Sequence, residues 1–253
     1  MAKRNNNTLV IADTQVKPGV CIKHLEALGE WIADHRPARI VHIGDHWDMP
    51  SLSSYDRGTA AIEGRRVRDD IEAGNSAMRV LLKPLRDLQR HQSFSKKRVY
   101  RPEMHFHIGN HEERLKRYEN SNPIVAGMFG YDQLDLSGWF VHDFLDVNVI
   151  EGVSFSHYFY NPNTGRPIGG TAENRLNKIK TSFVQGHEQG LKYAVESVLG
   201  HKRIQGLVVG SFYQHDENYK GPQGNNHWRG CALLKNHVDG DYALELLDLK
   251  EFV

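Results

Sequence analysis

The sequence predicts an α/β fold, and three observations carry the prediction. Short apolar runs fit buried strands, an amphipathic helical repeat lies between the first two of them, and polar clusters stand where the runs end. The first run, residues 8–13, is continuously apolar up to its final aspartate, as expected of a strand buried on both faces. Lys17, Pro18 and Gly19 break it. Ile22, Leu25, Leu28 and Ile32 then follow at spacings of three, three and four, an amphipathic helix that ends before Pro37. Residues 39–45 are the next apolar strand. Strand, helix and strand in so short a stretch form a βαβ unit, whose crossover requires a parallel pair with the helix on its face.

Residues 50–100 read as a helical elaboration between core strands. Val67, Ile71, Gly74, Met78, Leu81, Leu85 and Leu88 alternate spacings of four and three, one apolar stripe along a helix of about six turns. Gly74 and Pro84 weaken it. Such a stripe can pair two copies, but with Pro84 bending it the preferred reading is a helix laid on its own core. Met104, Phe106 and Ile108 alternate with His105 and His107 in a third strand that stops at Gly109, and a charged helix is expected over 112–118. The second half is richer in strands: 147–159, 182–186 and 204–211, then 231–237 and 242–249 flanking Asp239 and Gly240 as a hairpin. Polar loops fill 161–170 and 214–230, residues 122–144 read as a cap or loop segment, and residues 5–7 as a frayed start. The whole of 1–253 is expected to be one domain.

Composition narrows the function classes. With 39% hydrophobic and 25% charged residues the chain is an ordinary globular one, which excludes disorder and collagen. Thirty-two Lys and Arg against thirty-one Asp and Glu leave a net charge of +1, so no global field draws the protein to nucleic acid or anionic membrane. Cys21 and Cys231 form no CxxC pair, which argues against a disulfide scaffold and a thiolate zinc site and for a reducing cytoplasm. No apolar run is long enough to span a membrane. Fifteen histidines with two cysteines hint at imidazole metal ligands.

The polar clusters carry the chemistry. They are Asp13, Thr14, Gln15; Gly44, Asp45, His46, Trp47, Asp48; Gly109, Asn110, His111, Glu112; Ser156, His157, Tyr158; and Gly186, His187, Glu188, Gln189. Strand carboxyl ends are where open α/β sheets bind ligands, so these clusters can converge. Carboxylates, an asparagine, histidines and glutamines together suit a pair of divalent cations. Neither a serine-nucleophile motif nor a phosphate-binding glycine loop competes. Simpler readings exist for each residue: Asp13, Asp45 and Asp48 as caps or turn residues, Asn110 as a turn residue, His157 as a hydrogen-bonded strand histidine. His42, His105 and His107 lie on strand faces and are expected to pack; His46, His215 and His227 lie near the site without an assigned role. Arg57 is placed to contact phosphate or to join a loop salt bridge.

The order of these blocks resembles the calcineurin-like metallophosphoesterase family, whose pattern is D-x-H, G-D-x-x-D, G-N-H-[DE], a lone His, and G-H-x-H. This chain offers D-T-Q, G-D-H-W-D, G-N-H-E, S-H-Y and G-H-E-Q between residues 13 and 189. The resemblance implies a two-layer αββα sandwich of mixed sheets with a two-metal site at the strand C-terminal rim. It places Asp13 and Asp45 on one ion, with Asp45 bridging to a second ion held by Asn110, His157 and His187. His111 would act beside the scissile phosphate, oriented by Asp48. Gln15 and Gln189 stand where the family places histidines on the first ion, and exchanging imidazole for amide oxygen favours manganese or magnesium over iron(II) or zinc. The implied activity is hydrolysis of phosphodiester or pyrophosphate bonds of a phosphorylated small molecule or nucleotide, with a water bridging the ions as nucleophile. Two alternatives accompany it. One is a DNA or RNA nuclease of the same family, with Arg65, Arg66, Arg68, Lys96, Lys97, Arg98, Arg114, Lys116 and Arg117 tracking a backbone. The other is a non-catalytic scaffold with a degraded first metal site.

Overall fold

The computed structural model describes residues 6–200 and 202–253; Asn5, part of the expected frayed start, lies outside them. Asn6 and Asn7 are not frayed. The Asn6 amide donates to the His237 carbonyl (2.8 Å) and the Asn7 side-chain oxygen accepts from the Asn236 amide (3.1 Å), which ties the chain's start to a C-terminal strand.

β1 (Thr8–Ile11) and β2 (Arg39–His42) are parallel and joined by α1 (Lys23–His35), the expected βαβ unit. α1 buries Leu25, Leu28 and Ile32 and stops at Arg36, which turns left-handed before Pro37. α2 (Val67–Phe94) packs on α1, so its stripe covers the protein's own core. Gly74 and Pro84, weak points of that helix in sequence, are packing positions. A Cβ on Gly74 would lie 1.9 Å from the Trp47 indole. A Cβ on Gly29 of α1 would meet the Leu81 carbonyl at 2.3 Å and the Pro84 ring at 3.1 Å, so the two helices meet at that glycine.

β3 (Glu103–His107) continues the sheet in parallel, and α3 (Arg114–Ser121) begins two residues later than expected because Glu112 and Glu113 turn beneath the sheet rim. Within the stretch 122–144, Leu134, Leu136 and Trp139 enter the core, and β4 (Phe140–His142) pairs in parallel with β3. The single strand expected over 147–159 is instead a hairpin, β5 (Asn148–Ile150) and β6 (Val153–Phe155), since Glu151 (φ 45°) and Gly152 (φ 80°) reverse the chain. A small ribbon, β7 (Tyr160–Asn161) and β8 (Arg166–Pro167), occupies the loop over 161–170. α4 (Ala172–Ile179), capped by the Thr171 hydroxyl, has no counterpart in the sequence reading. β9 (Phe183–Gln185) and β11 (Lys202–Val208) match expected strands, and β10 (Lys192–Val198) was not anticipated. β12 (Gly230–Val238) and β13 (Asp241–Asp248) form the hairpin around Asp239 and Gly240.

Among the described residues the strands make two large mixed sheets, ordered β13-β12-β1-β2-β3-β4 and β10-β11-β9-β6-β5. Alternation along β1 separates the layers. Leu9 and Ile11 point to α1 and α2, while Val10 and Ala12 point to Phe155, Val184 and Leu207 of the other sheet. Leu176 of α4 covers the far face of that second sheet against Phe159 and Phe183. The layers are therefore helix, sheet, sheet, helix: an αββα sandwich, with the polar clusters at the carboxyl ends of β1, β2, β3, β6 and β9.

Candidate metal centre

β1, β2 and β9 end at abrupt changes of backbone direction. Asp13 (φ 44°), Gln15 (φ 41°), Asp45 (φ 53°), His187 (φ 71°) and Gln189 (φ 61°) all adopt the left-handed region, which costs an ordinary side chain on the order of 1 kcal/mol or more each. Such conformations persist only where the surroundings impose them. Here the loops are laced together by backbone bonds: Gln15 N–H to Asp45 O (2.9 Å), Val16 N–H to His46 O (2.7 Å) and Asp48 N–H to Val16 O (2.9 Å). Gly109 allows the third loop to close, because a Cβ there would sit 2.2 Å from an Asp45 carboxylate oxygen.

Beneath these loops lies a residue that sequence reasoning named only as part of a block. The fully buried Glu112 carboxylate accepts backbone N–H bonds from Asp45 (3.0 Å), His46 (2.6 Å), Trp47 (2.9 Å) and Gly109 (2.9 Å). It fixes the loops after β2 and β3 to each other. Burial and the neighbouring Asp45 charge raise its pKa, opposed by those amides.

The ligand-type side chains meet above this floor. Among the described residues, Asp45, His157 and His187 present donor atoms within 4.8 Å of one another, a grouping able to hold a metal ion. Asn110 joins them, its side-chain oxygen 2.9 Å from His157 Nε2 and 2.7 Å from His187 Nδ1. Buried His157 donates from Nδ1 to the Ile43 carbonyl (2.6 Å), which directs Nε2 into the cluster, as an outer partner does for a ligating imidazole. Asp13 is fully buried; one carboxylate oxygen accepts the His187 N–H (3.0 Å) and the other has no partner. Gln15 is equally buried, and its amide lies beside the Tyr219 hydroxyl without a well-formed bond. These unpaired oxygens of Asp13 and Gln15, with the converging donors, fit divalent cations. Gln189 is differently placed. Its oxygen takes the Tyr213 hydroxyl proton (3.0 Å) and its nitrogen donates to the Tyr219 hydroxyl (3.0 Å).

The electrostatics are those of a site short of positive charge. Burial and Asp45 push the Asp13 carboxyl up to about 7. Burial alone would lower the His157 imidazole, yet the Asp45 and Asp13 carboxylates raise it to about 9. Asp45 runs the other way: against burial, His111 and His157 hold it well below the carboxylate range. Protons thus reside where cations would supply charge.

His111 stands beside the cluster. Its Nδ1 bonds Asp48 Oδ1 at 2.7 Å and its Nε2 lies 3.7 Å from Asp45 Oδ2. Burial would depress His111, but Asp45 and Asp48 raise it, favouring the imidazolium. Three partners of this pair are not expected from the sequence in that role, although Arg114 stands among the basic residues of the nuclease alternative. Lys17 bridges Asp48 (3.1 Å) and Glu217 (2.6 Å), and Arg114 donates to the Asp48 carbonyl (2.7 Å) with its other nitrogen 3.3 Å from His111 Nε2. All five face a cavity of about 1100 Å³ shared with Asp45, Asn110 and His187. His215 bonds Glu217 (2.8 Å), which lines that cavity, and His227 bonds Ser211 (2.8 Å). His46 is structural, held between the Thr14 hydroxyl (2.7 Å) and the Gly74 carbonyl (3.0 Å). Arg57 is exposed, and the loop ion pair of Asp56 is with Arg65 (2.6 Å).

No family model matches the chain. It is 29% identical over 256 residues to the Gene 54 proteins of Mycobacterium phages D29 and L5, alignments that cover 96% of this chain and 92% of each relative. The crystal structure of Vps29 from Chaetomium thermophilum aligns with a TM-score of 0.41 at 8% identity, over 96% of this chain and 97% of that one.

Proposed function

We propose that the chain is a divalent-metal-dependent phosphoesterase of the calcineurin-like type, hydrolysing phosphodiester or pyrophosphate bonds of a nucleotide-like substrate. The observation that supports it is the convergence of Asp45, Asn110, His157 and His187 beside a His111 already paired with Asp48. Cations on Asp13, Gln15 and Asp45 and on Asp45, Asn110, His157 and His187, with manganese preferred for the oxygen-rich side, would neutralise phosphoryl oxygens and acidify the attacking water. The protein's own contribution is proton placement. Asp48 accepts from His111 Nδ1, and with Asp45 it favours the imidazolium, whose Nε2 proton faces the cavity for the leaving-group oxygen. Against burial, His111 first and then Lys17 and Arg114 keep Asp48 ionised, and the Lys17 ion pair and the Arg114 bond to its carbonyl hold it in position.

A small substrate is favoured over a polymer by where the basic groups lie. Arg65, Arg66 and Arg114 line the cavity, whereas Lys96, Lys97 and Arg98 follow the far end of α2, a 28-residue helix about 40 Å long. The deciding experiment is hydrolysis of a nitrophenyl phosphodiester before and after exhaustive chelation, with manganese, magnesium and zinc returned singly. Activity should vanish, return best with manganese, and be nearly absent in Asp45→Asn. Full turnover after chelation, or an unimpaired Asp45→Asn, refutes the proposal. The Michaelis constant of the best substrate should change little between about 50 and 200 mM salt, where a six-phosphate contact would weaken roughly a thousandfold.

A further inference from the structure

We infer that Gln189 is a clamp for Tyr219, and that the Tyr219 ring stacks on the base of a nucleoside phosphate whose phosphate sits at the metal centre. The inference rests on the phosphoesterase reading of that centre. Hydrogen-bond directions carry the first half. An amide oxygen can only accept, so the buried Tyr213 hydroxyl gives its proton to Gln189 Oε1 (3.0 Å). The amide nitrogen can only donate, so Tyr219 accepts from Gln189 Nε2 (3.0 Å) and keeps its own proton for another acceptor. Tyr213 is itself immobilised, with the His215 ring stacked at 4.7 Å and the Arg229 guanidinium 4.9 Å over its face. Gln189 therefore spends its oxygen on a tyrosine in a strained backbone conformation (φ 61°), an arrangement suited to aiming Tyr219.

Exposure carries the second half. Tyr219 is 68% exposed although its hydroxyl is tethered, so a rigid aromatic face is held out of the core. It lines the cavity that contains Asp45, Asn110, His111 and His187. That cavity, about 1100 Å³, is of the size that takes a whole organic ligand rather than a lone phosphate. A second ring, Tyr55, lines it from the loop before α2 and is 90% exposed. Aromatic faces stack on any nucleobase, so the chemistry selects a nucleoside without selecting the base.

Two esters with the same leaving group test this in manganese: thymidine 5′-p-nitrophenyl phosphate and methyl p-nitrophenyl phosphate. Calorimetric binding of thymidine 5′-monophosphate against ribose 5-phosphate is the readout independent of turnover. The nucleoside form should be preferred about 5- to 150-fold in both measures, the range of one base–aromatic stack. Tyr219→Ala should bring the preference close to one. Gln189→Ala, which frees the ring without removing it, should leave a reduced preference, and an undiminished one overturns the clamp. Equal binding of the two ligands by the wild-type protein, or an unchanged preference in Tyr219→Ala, overturns the stacking. If neither ester is hydrolysed, the phosphoesterase reading fails while the binding pair still decides the stacking; if both are hydrolysed equally well, the stacking alone falls.

Discussion

Glu112→Gln is nearly isosteric, so its consequence can be worked from hydrogen bonds alone. The carboxylate accepts from His46 and Trp47 on one oxygen and from Asp45 and Gly109 on the other. Whichever way the amide is turned, its NH2 faces two backbone N–H groups at a fully buried position. Each unsatisfied buried donor costs about 1–3 kcal/mol, so the substitution should destabilise by roughly 2–6 kcal/mol. Relief of the burial penalty on the carboxylate and of its repulsion from Asp45 opposes this loss. For a chain of this length the net loss corresponds to a melting temperature lower by roughly 5–20 °C. The assay is thermal unfolding by circular dichroism at about pH 8, without added metal, with Glu113→Gln as the control. A melting temperature unchanged or raised in Glu112→Gln would show that charge repulsion, rather than donor satisfaction, governs this floor, and the account of how the loops are held would be wrong.

Two further outcomes follow from the site. His111→Ala should lower turnover by about 10² to 10⁴, less for a nitrophenyl leaving group that needs little protonation, while calorimetric metal content stays near wild type; an emptied metal site would mean that His111 is a ligand. Metal binding should release protons, because Asp13 (raised to about 7) and His157 (raised to about 9) hold them in the metal-free protein and must give them up to a cation. Affinity should therefore rise with pH across that window, and calorimetry in buffers of different ionisation enthalpy should detect the release; an affinity independent of pH refutes it.

What the sequence by itself determined are the features written in local periodicity and turn chemistry. The β1-α1-β2 unit, the α2 stripe and the Asp239-Gly240 hairpin are legible because apolar spacing and left-handed turn residues act over a few positions. The ordering of Asp13, Asp45, Asn110, His157 and His187 behind successive strands was legible for the same reason. Tertiary structure decided the rest. The turn at Glu151 and Gly152 divides one expected strand into β5 and β6, with β6 buried and β5 added outside it as the sheet's edge strand, a placement that the run's own pattern does not announce. β10 gains its place by pairing antiparallel with β11, Val198 opposite Lys202, a local hairpin that its mixed polar pattern does not announce. Glu112, Lys17, Arg114 and Tyr219 acquire their roles through partners 30 to 200 residues away, as when Lys17 meets Glu217. A charged or aromatic side chain in a loop looks solvent-facing in sequence; whether it is instead a buried anchor for four amides or a tethered platform depends on which loops the two sheets bring to one rim.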